Sequence, residues 1–179
     1  MDGGVTNVQI GGDAETVSLT GTTNGNDQTS ANYKQNVTVD VGEYQNSSFN
    51  PYHHIALGVH NGIQFGLNPK SDSMYLRAFR SQGLSARVPG AVKPQVGGQL
   101  LRMIHIPATG MQAQMLQNSI MQSGQNPPDY TVLGQGGCDC ANWAQQMLGD
   151  AGINTGSPEP MPDNAMDQIH LANPQAPQE

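Results

Sequence analysis

The stretch from residue 54 to residue 67 constrains this chain more than any other. Two apolar runs, His54-Ile55-Ala56-Leu57-Gly58-Val59 and Ile63-Gln64-Phe65-Gly66-Leu67, flank His60-Asn61-Gly62. Asn-Gly between apolar runs specifies a tight turn, because both residues accept positive φ, so the runs should pair as an antiparallel hairpin. Strand alternation sends Ile55, Leu57 and Val59 toward the core and puts His54, Ala56 and Gly58 on the opposite face. The small Ala56 and Gly58 are expected to leave room there for a helix end to approach His54. Asn68-Pro69 ends the return strand.

Around this hairpin the chain divides into three parts. Residues 1–50 read as a low-complexity leader or linker arm, since the small and polar run 21–35 cannot bury enough surface to offset its ordering entropy. Two short alternating pieces within it, 5–10 and 36–41, read as edge strands. Residues 51–156 read as one domain. It holds the hairpin, a mixed segment with Tyr75, Leu76 and Phe79, a Pro/Gly-rich connection over 89–98 and a strand over 100–106. Thr109 and Gln112 form a capping box that opens a helix over 110–123, with Met111, Met115, Leu116 and Ile120 as its core stripe. A second helix carries Trp143, Ala144, Met147, Leu148 and Ala151 on one face. Residues 157–179 read as a Pro-rich extension with a short helix over 163–171.

Few charges (12% of residues) beside 22 Gly and 12 Pro fit a polar, loop-rich α+β protein better than a helical bundle. The formal net charge is −7, and every Lys and Arg lies between Lys34 and Arg102. The C-terminal half would therefore repel a polyanion, which argues against nucleic acid as a partner. No stretch has the apolar length of a transmembrane segment, and the N-terminus lacks a signal-peptide pattern. Export or entry into a target cell would then need another delivery route.

The chemistry points to the two cysteines. Cys138 and Cys140 are too close to close a useful disulfide loop. Asp139 is a good N-cap, which places Cys140 in the first turn of the Trp143 helix, where the macrodipole and free N–H groups favour a thiolate and an oxyanion. The glycine-rich approach Gly134-Gln135-Gly136-Gly137 lets the chain turn sharply and leave the sulfur open to substrate. A histidine brought in by the fold must serve as base. His54 is the first candidate, and His53 replaces it if the strand register slips by one. His60, in the turn, and His105, on a strand with apolar neighbours, read as ordinary surface or core histidines. Cys138 reads as a spectator or a resolving thiol.

Tyr130, Gly134, Asp139-Cys140, Trp143 and the closing Gly152-Ile153 together resemble the nucleophile region of NlpC-type cysteine peptidases. His54 to Gly62 is similar to that family's His strand and tight turn. The usual order is Cys before His; the reversed order here resembles the permuted branch that includes lecithin:retinol acyltransferase-like proteins. The resemblance covers about residues 52–155. It implies a papain-like α+β fold, a circularly permuted NlpC-type domain whose antiparallel sheet packs against the nucleophile-bearing helix. In such a site Cys140 attacks a carbonyl, His54 takes the thiol proton, and Tyr130 positions or stabilises the oxyanion.

The third polar residue of the family falls on Gly66, so Asn68 or Gln64 substitutes for it, or the site runs as a Cys–His dyad. The implied activity is that of a cysteine peptidase or amidase without cofactor or metal, acting on peptidoglycan peptides or another acyl bond. The setting implied is a secreted or delivered bacterial toxin or effector, with an immunity (inhibitor) protein as partner. Two other readings stand beside it: a metal-binding module using Cys138, Cys140, His53 and His54, and a catalytically silent papain-like binding domain.

Overall fold

A computed structural model describes residues 36–45, 53–131 and 137–179. The expected strand over 5–10 and most of the glycine approach to Cys140 lie outside these residues. The described chain is α+β. Its main sheet is antiparallel and five-stranded, in the order β5-β3-β2-β1-β6. The strands are β1 (Asn36–Gln45), β2 (His54–Val59), β3 (Phe65–Pro69), β5 (Gly90–Pro94) and β6 (Gln99–Thr109). Two further short strands, β4 (Arg87–Val88) and β7 (Tyr130–Thr131), pair with each other.

The hairpin forms as its sequence requires, with one difference. Only Asn61 takes positive φ, at 62°, and the turn closes through the Gly62 N–H on the Val59 carbonyl at 2.8 Å. The return strand accordingly starts later than expected, at Phe65.

The segment 36–41 is no edge strand. β1 runs on to Gln45 and lies inside the sheet, between β2 and β6, with Val39 opposite both Val59 and Ile106. Its alternating valines decide this, because Val39 and Val41 are fully buried and need a neighbour on both sides. A buried strand therefore stands at 36–45, within the stretch that the sequence reads as leader. The outer edge of β6 is closed by the chain's own C-terminal residues: Met103 and Glu179 exchange both main-chain hydrogen bonds at 2.9 Å. This covers the unpaired groups that would otherwise template another strand.

Among the described residues four α-helices pack with these strands: α1 (Asp72–Gln82), α2 (Gly110–Gln125), α3 (Cys140–Asp150) and α4 (Pro162–Ala172). α2 opens on the expected capping box, with both halves of the Thr109–Gln112 exchange present. Its stripe is narrower than the sequence suggests. Leu116 and Ile120 are buried with Ala113, whereas Met111 and Met115 stay exposed. α1 replaces the mixed segment around Tyr75. It buries none of its residues, so it carries no strong apolar period, and its signals were the Ser71 N-cap and Gly83 at φ 61°.

One core fills the space between the sheet and the helices. Val39, Val41, Ile55, Leu57, Leu67, Ile104 and Ile106 supply the sheet side. Leu116 and Ile120 of α2, Trp143, Met147 and Leu148 of α3, and Met166 and Ile169 of α4 supply the other. Trp143 is fully buried and its indole N–H donates to Ser123 Oγ at 2.8 Å, tying α3 to α2. Burial of that ring alone accounts for about 3–5 kcal/mol by the usual cost of its truncation.

The helices cover the Ile55–Leu57 face, which corrects the expected approach of a helix over Ala56 and Gly58. The space above Gly58 is taken by the returning chain, where a Cβ would lie 2.6 Å from the Ile63 carbonyl oxygen.

Candidate active site

The start of α3 is built as its sequence predicts. Asp139 is the N-cap, and its carboxylate accepts from the Asn142 N–H at 2.7 Å. Cys140 is the first helical residue and is buried. α3 packs on β2 and β3, and this brings the Cys140 thiol against the main chain at the start of β2. Sγ lies 4.0 Å from the His53 carbonyl oxygen. The N–H groups of Ile55, Cys140 and Ala141 also point at the sulfur.

His54, the first residue of β2, is buried too, and its Nε2 has no hydrogen-bond partner. Its ring leans over Gly66 on β3. A Cβ at Gly66 would overlap His54 Nε2 and sit 2.8 Å from the Ile55 carbonyl oxygen. The fold therefore does set residue 66 beside the imidazole, and what it offers there is room for the ring. Neither proposed substitute reaches His54: the Asn68 amide donates to the Gly66 carbonyl, and Gln64 bonds to Tyr44 and Met103.

Tyr130 lies on β7, bridged to Cys138, two residues before the nucleophile candidate. It is buried with its ring edge-on to Tyr75 at 5.6 Å, and its phenol is pushed well above its ordinary range, first by burial and then by negative charge on Cys140. The structure thus gathers Cys140, the main chain of residues 53–55 and Tyr130 into one buried region. No hydrogen bond among the described residues joins the sulfur to an imidazole.

The electrostatics reverse an expectation. Burial pushes the Cys140 thiol up to about 12, with the neighbouring Asp139 adding to the shift, and the three N–H groups pull only partly against it. Burial also takes His54 down to about 4. The thiol and the imidazole are both neutral at rest, because taking either charge out of water outweighs the helix-end effect. They stand on opposite faces of β2, the His54 ring on the face shared with Ala56 and Gly66 and the thiol under α3. Burial raises Cys138 to about 12 as well, and Asp139 to about 7.

The alternative histidine has a different setting. His53 Nδ1 contacts Glu43 Oε1 at 2.6 Å and Asp163 Oδ1 at 2.8 Å. Arg102 bonds the same Glu43 and reaches Asp167 at 2.6 Å. This network joins β1, β6 and α4 at the end of the sheet, and nothing in the sequence spacing announces it.

The groups of residues able to ligate a metal among the described residues are Glu43-His53-Asp163 and Asp40-His60-His105. Cys138, Cys140 and His54 belong to neither, contrary to the cysteine-based metal module.

No family model matches this sequence, and no curated protein or solved structure matches it.

Proposed function

We propose that this chain is a cysteine hydrolase, a peptidase or amidase with a papain-like permuted fold, using Cys140 as nucleophile and His54 as base. The observation that carries the reading is local: the sulfur at the mouth of α3 rests on the main chain flanking residue 54, and the imidazole of that residue, on the other face of β2, keeps a buried nitrogen unpaired. A buried polar atom without a partner is rare and calls for an explanation, and proton transfer is one. Gly66 supports it by leaving the ring space to move.

In this mechanism the His54 ring, at the first residue of β2, turns from the Gly66 face toward the sulfur, and Nε2 then accepts the thiol proton as Sγ attacks the substrate carbonyl. The charge that develops on the carbonyl oxygen meets the N–H groups at the start of α3, with the Tyr130 hydroxyl as a further donor. The imidazolium returns its proton to the leaving amine, and water then cleaves the thioester. Because thiol and imidazole are both neutral at rest, proton transfer accompanies attack, and substrate must enter before the thiolate forms.

Cell-wall peptides are the proposed substrate class, delivery to a target cell the proposed setting, and an inhibitor protein the proposed partner. The competing reading is a silent binding domain, favoured by the same neutral pair. Labelling with iodoacetamide at pH 7, read by intact mass, separates the two when combined with digestion of purified peptidoglycan. The hydrolase reading expects product from the wild type, none from Cys140→Ala, and slower alkylation of Cys140 while substrate peptide occupies or acylates it. No product from either protein, with a thiol inert under every condition, would decide for the silent domain, and equal product from both would remove Cys140 from the reaction.

A further inference from the structure

On the face of the sheet away from the helices, register brings together three side chains that are far apart in sequence. Asp40 on β1 stands directly opposite His105 on β6 and opposite Gly58 on β2. His60, in the turn two residues after Gly58, brings its ring to the same carboxylate. His105 Nδ1 lies 2.7 Å from Asp40 Oδ1, and His60 Nδ1 lies 2.8 Å from Asp40 Oδ2. The two rings meet edge to face, 84° apart with centroids 5.5 Å apart. One donor atom from each of the three side chains lies within 4.8 Å of the other two.

Two imidazole nitrogens and one carboxylate oxygen form a borderline donor set. It suits a first-row transition ion, zinc above all, and suits calcium or magnesium poorly because these prefer oxygen ligands. Tetrahedral ligands about 2.0–2.1 Å from zinc stand roughly 3.3 Å from one another, a spacing these atoms reach with small side-chain rotations. Asp40 is buried while His60 is half exposed, so the site has a fixed floor and an open mouth. At 2.7 and 2.8 Å the Asp40 carboxylate accepts hydrogens from both Nδ1 atoms, and zinc would bind by displacing those protons from between the same three groups.

We propose that Asp40, His60 and His105 bind one zinc ion, with water completing the coordination. The ion cross-links β1, β6 and the turn after β2, and it sits across the sheet from Cys140. This inference does not depend on the hydrolase reading.

The test uses the full chain, stripped with a chelator and then titrated with zinc chloride by calorimetry. Metal content is read by mass spectrometry after gel filtration. The wild type should retain about one zinc per chain, and His60→Gln or His105→Gln should each weaken binding by at least about tenfold. The Cys138→Ser/Cys140→Ser double variant should bind as the wild type does, which separates this site from any thiolate site and from catalysis. His60 lies in an exposed turn, so His60→Gln tests the idea even if the other variants fold poorly. Wild type emerging without zinc would overturn the proposal, as would zinc that persists in both histidine variants or disappears only in the cysteine variant.

Discussion

Two clusters of ionisable groups in this fold solve the same problem in opposite ways. Cys140 and His54 are each taken out of water and held neutral, the thiol beside main-chain N–H groups and the imidazole with its Nε2 unpaired. Around Asp40, two partly exposed imidazoles share one buried carboxylate, so each polar group has a side-chain partner. The comparison teaches that burial alone does not mark a functional pair. The thiol region gains reactivity only when something enters it, whereas the carboxylate region is organised before any ligand arrives.

The largest effect should come from removing the proposed base. His54→Ala should lower turnover of a peptide substrate by at least about 100-fold, the usual scale of general acid–base assistance. His53→Gln, which alters the network with Glu43 instead, should stay within about tenfold of the wild type. The reverse ranking in steady-state kinetics would transfer the base to His53 and erase the contrast between a neutral, unpaired imidazole and a paired one.

Gly66→Ala comes next. Its new methyl would press on the His54 ring and on the Ile55 carbonyl oxygen. The expected cost is about 1–3 kcal/mol in urea unfolding, typical of overpacking, together with reduced turnover. A variant with wild-type stability and activity would show that the ring does not need that space.

The smallest effect is a slope. The folded chain leaves His54 unprotonated down to about 4, whereas the same group in the open titrates near 6.5. Between those values the unfolded chain binds a proton that the folded chain does not, so acidification from pH 6.5 to pH 4 removes stability. The contribution is at most about 1.4 kcal/mol per pH unit. Denaturation midpoints at pH 7 and pH 5 should therefore converge in His54→Gln relative to the wild type. An unchanged pH slope would mean that His54 is hydrated in solution.

Much of the local structure is legible in the chain. Asn61-Gly62 marks the hairpin, Thr109 with Gln112 marks the start of α2, and Asp139 marks the start of α3 with Cys140 in its first turn. Each signal acts through atoms a few residues apart, where backbone geometry and a single cap decide the outcome. α1 was harder to see because it buries no residue and so carries little apolar periodicity. β1 was misread as an edge strand because a short alternating run does not reveal how many neighbours it will have.

By itself, then, the sequence determined the hairpin, the capped helices and the place of Cys140 at a helix mouth. Only the tertiary structure decided what surrounds each of them. It put α3 on the Ile55–Leu57 face, set Gly66 under the His54 ring, and desolvated the thiol enough to overcome the helix end. It also joined Asp40 to His60 across 20 residues and to His105 across 65. Those meetings depend on strand order and register, which the whole core fixes through burial, and no short stretch of chain contains that information.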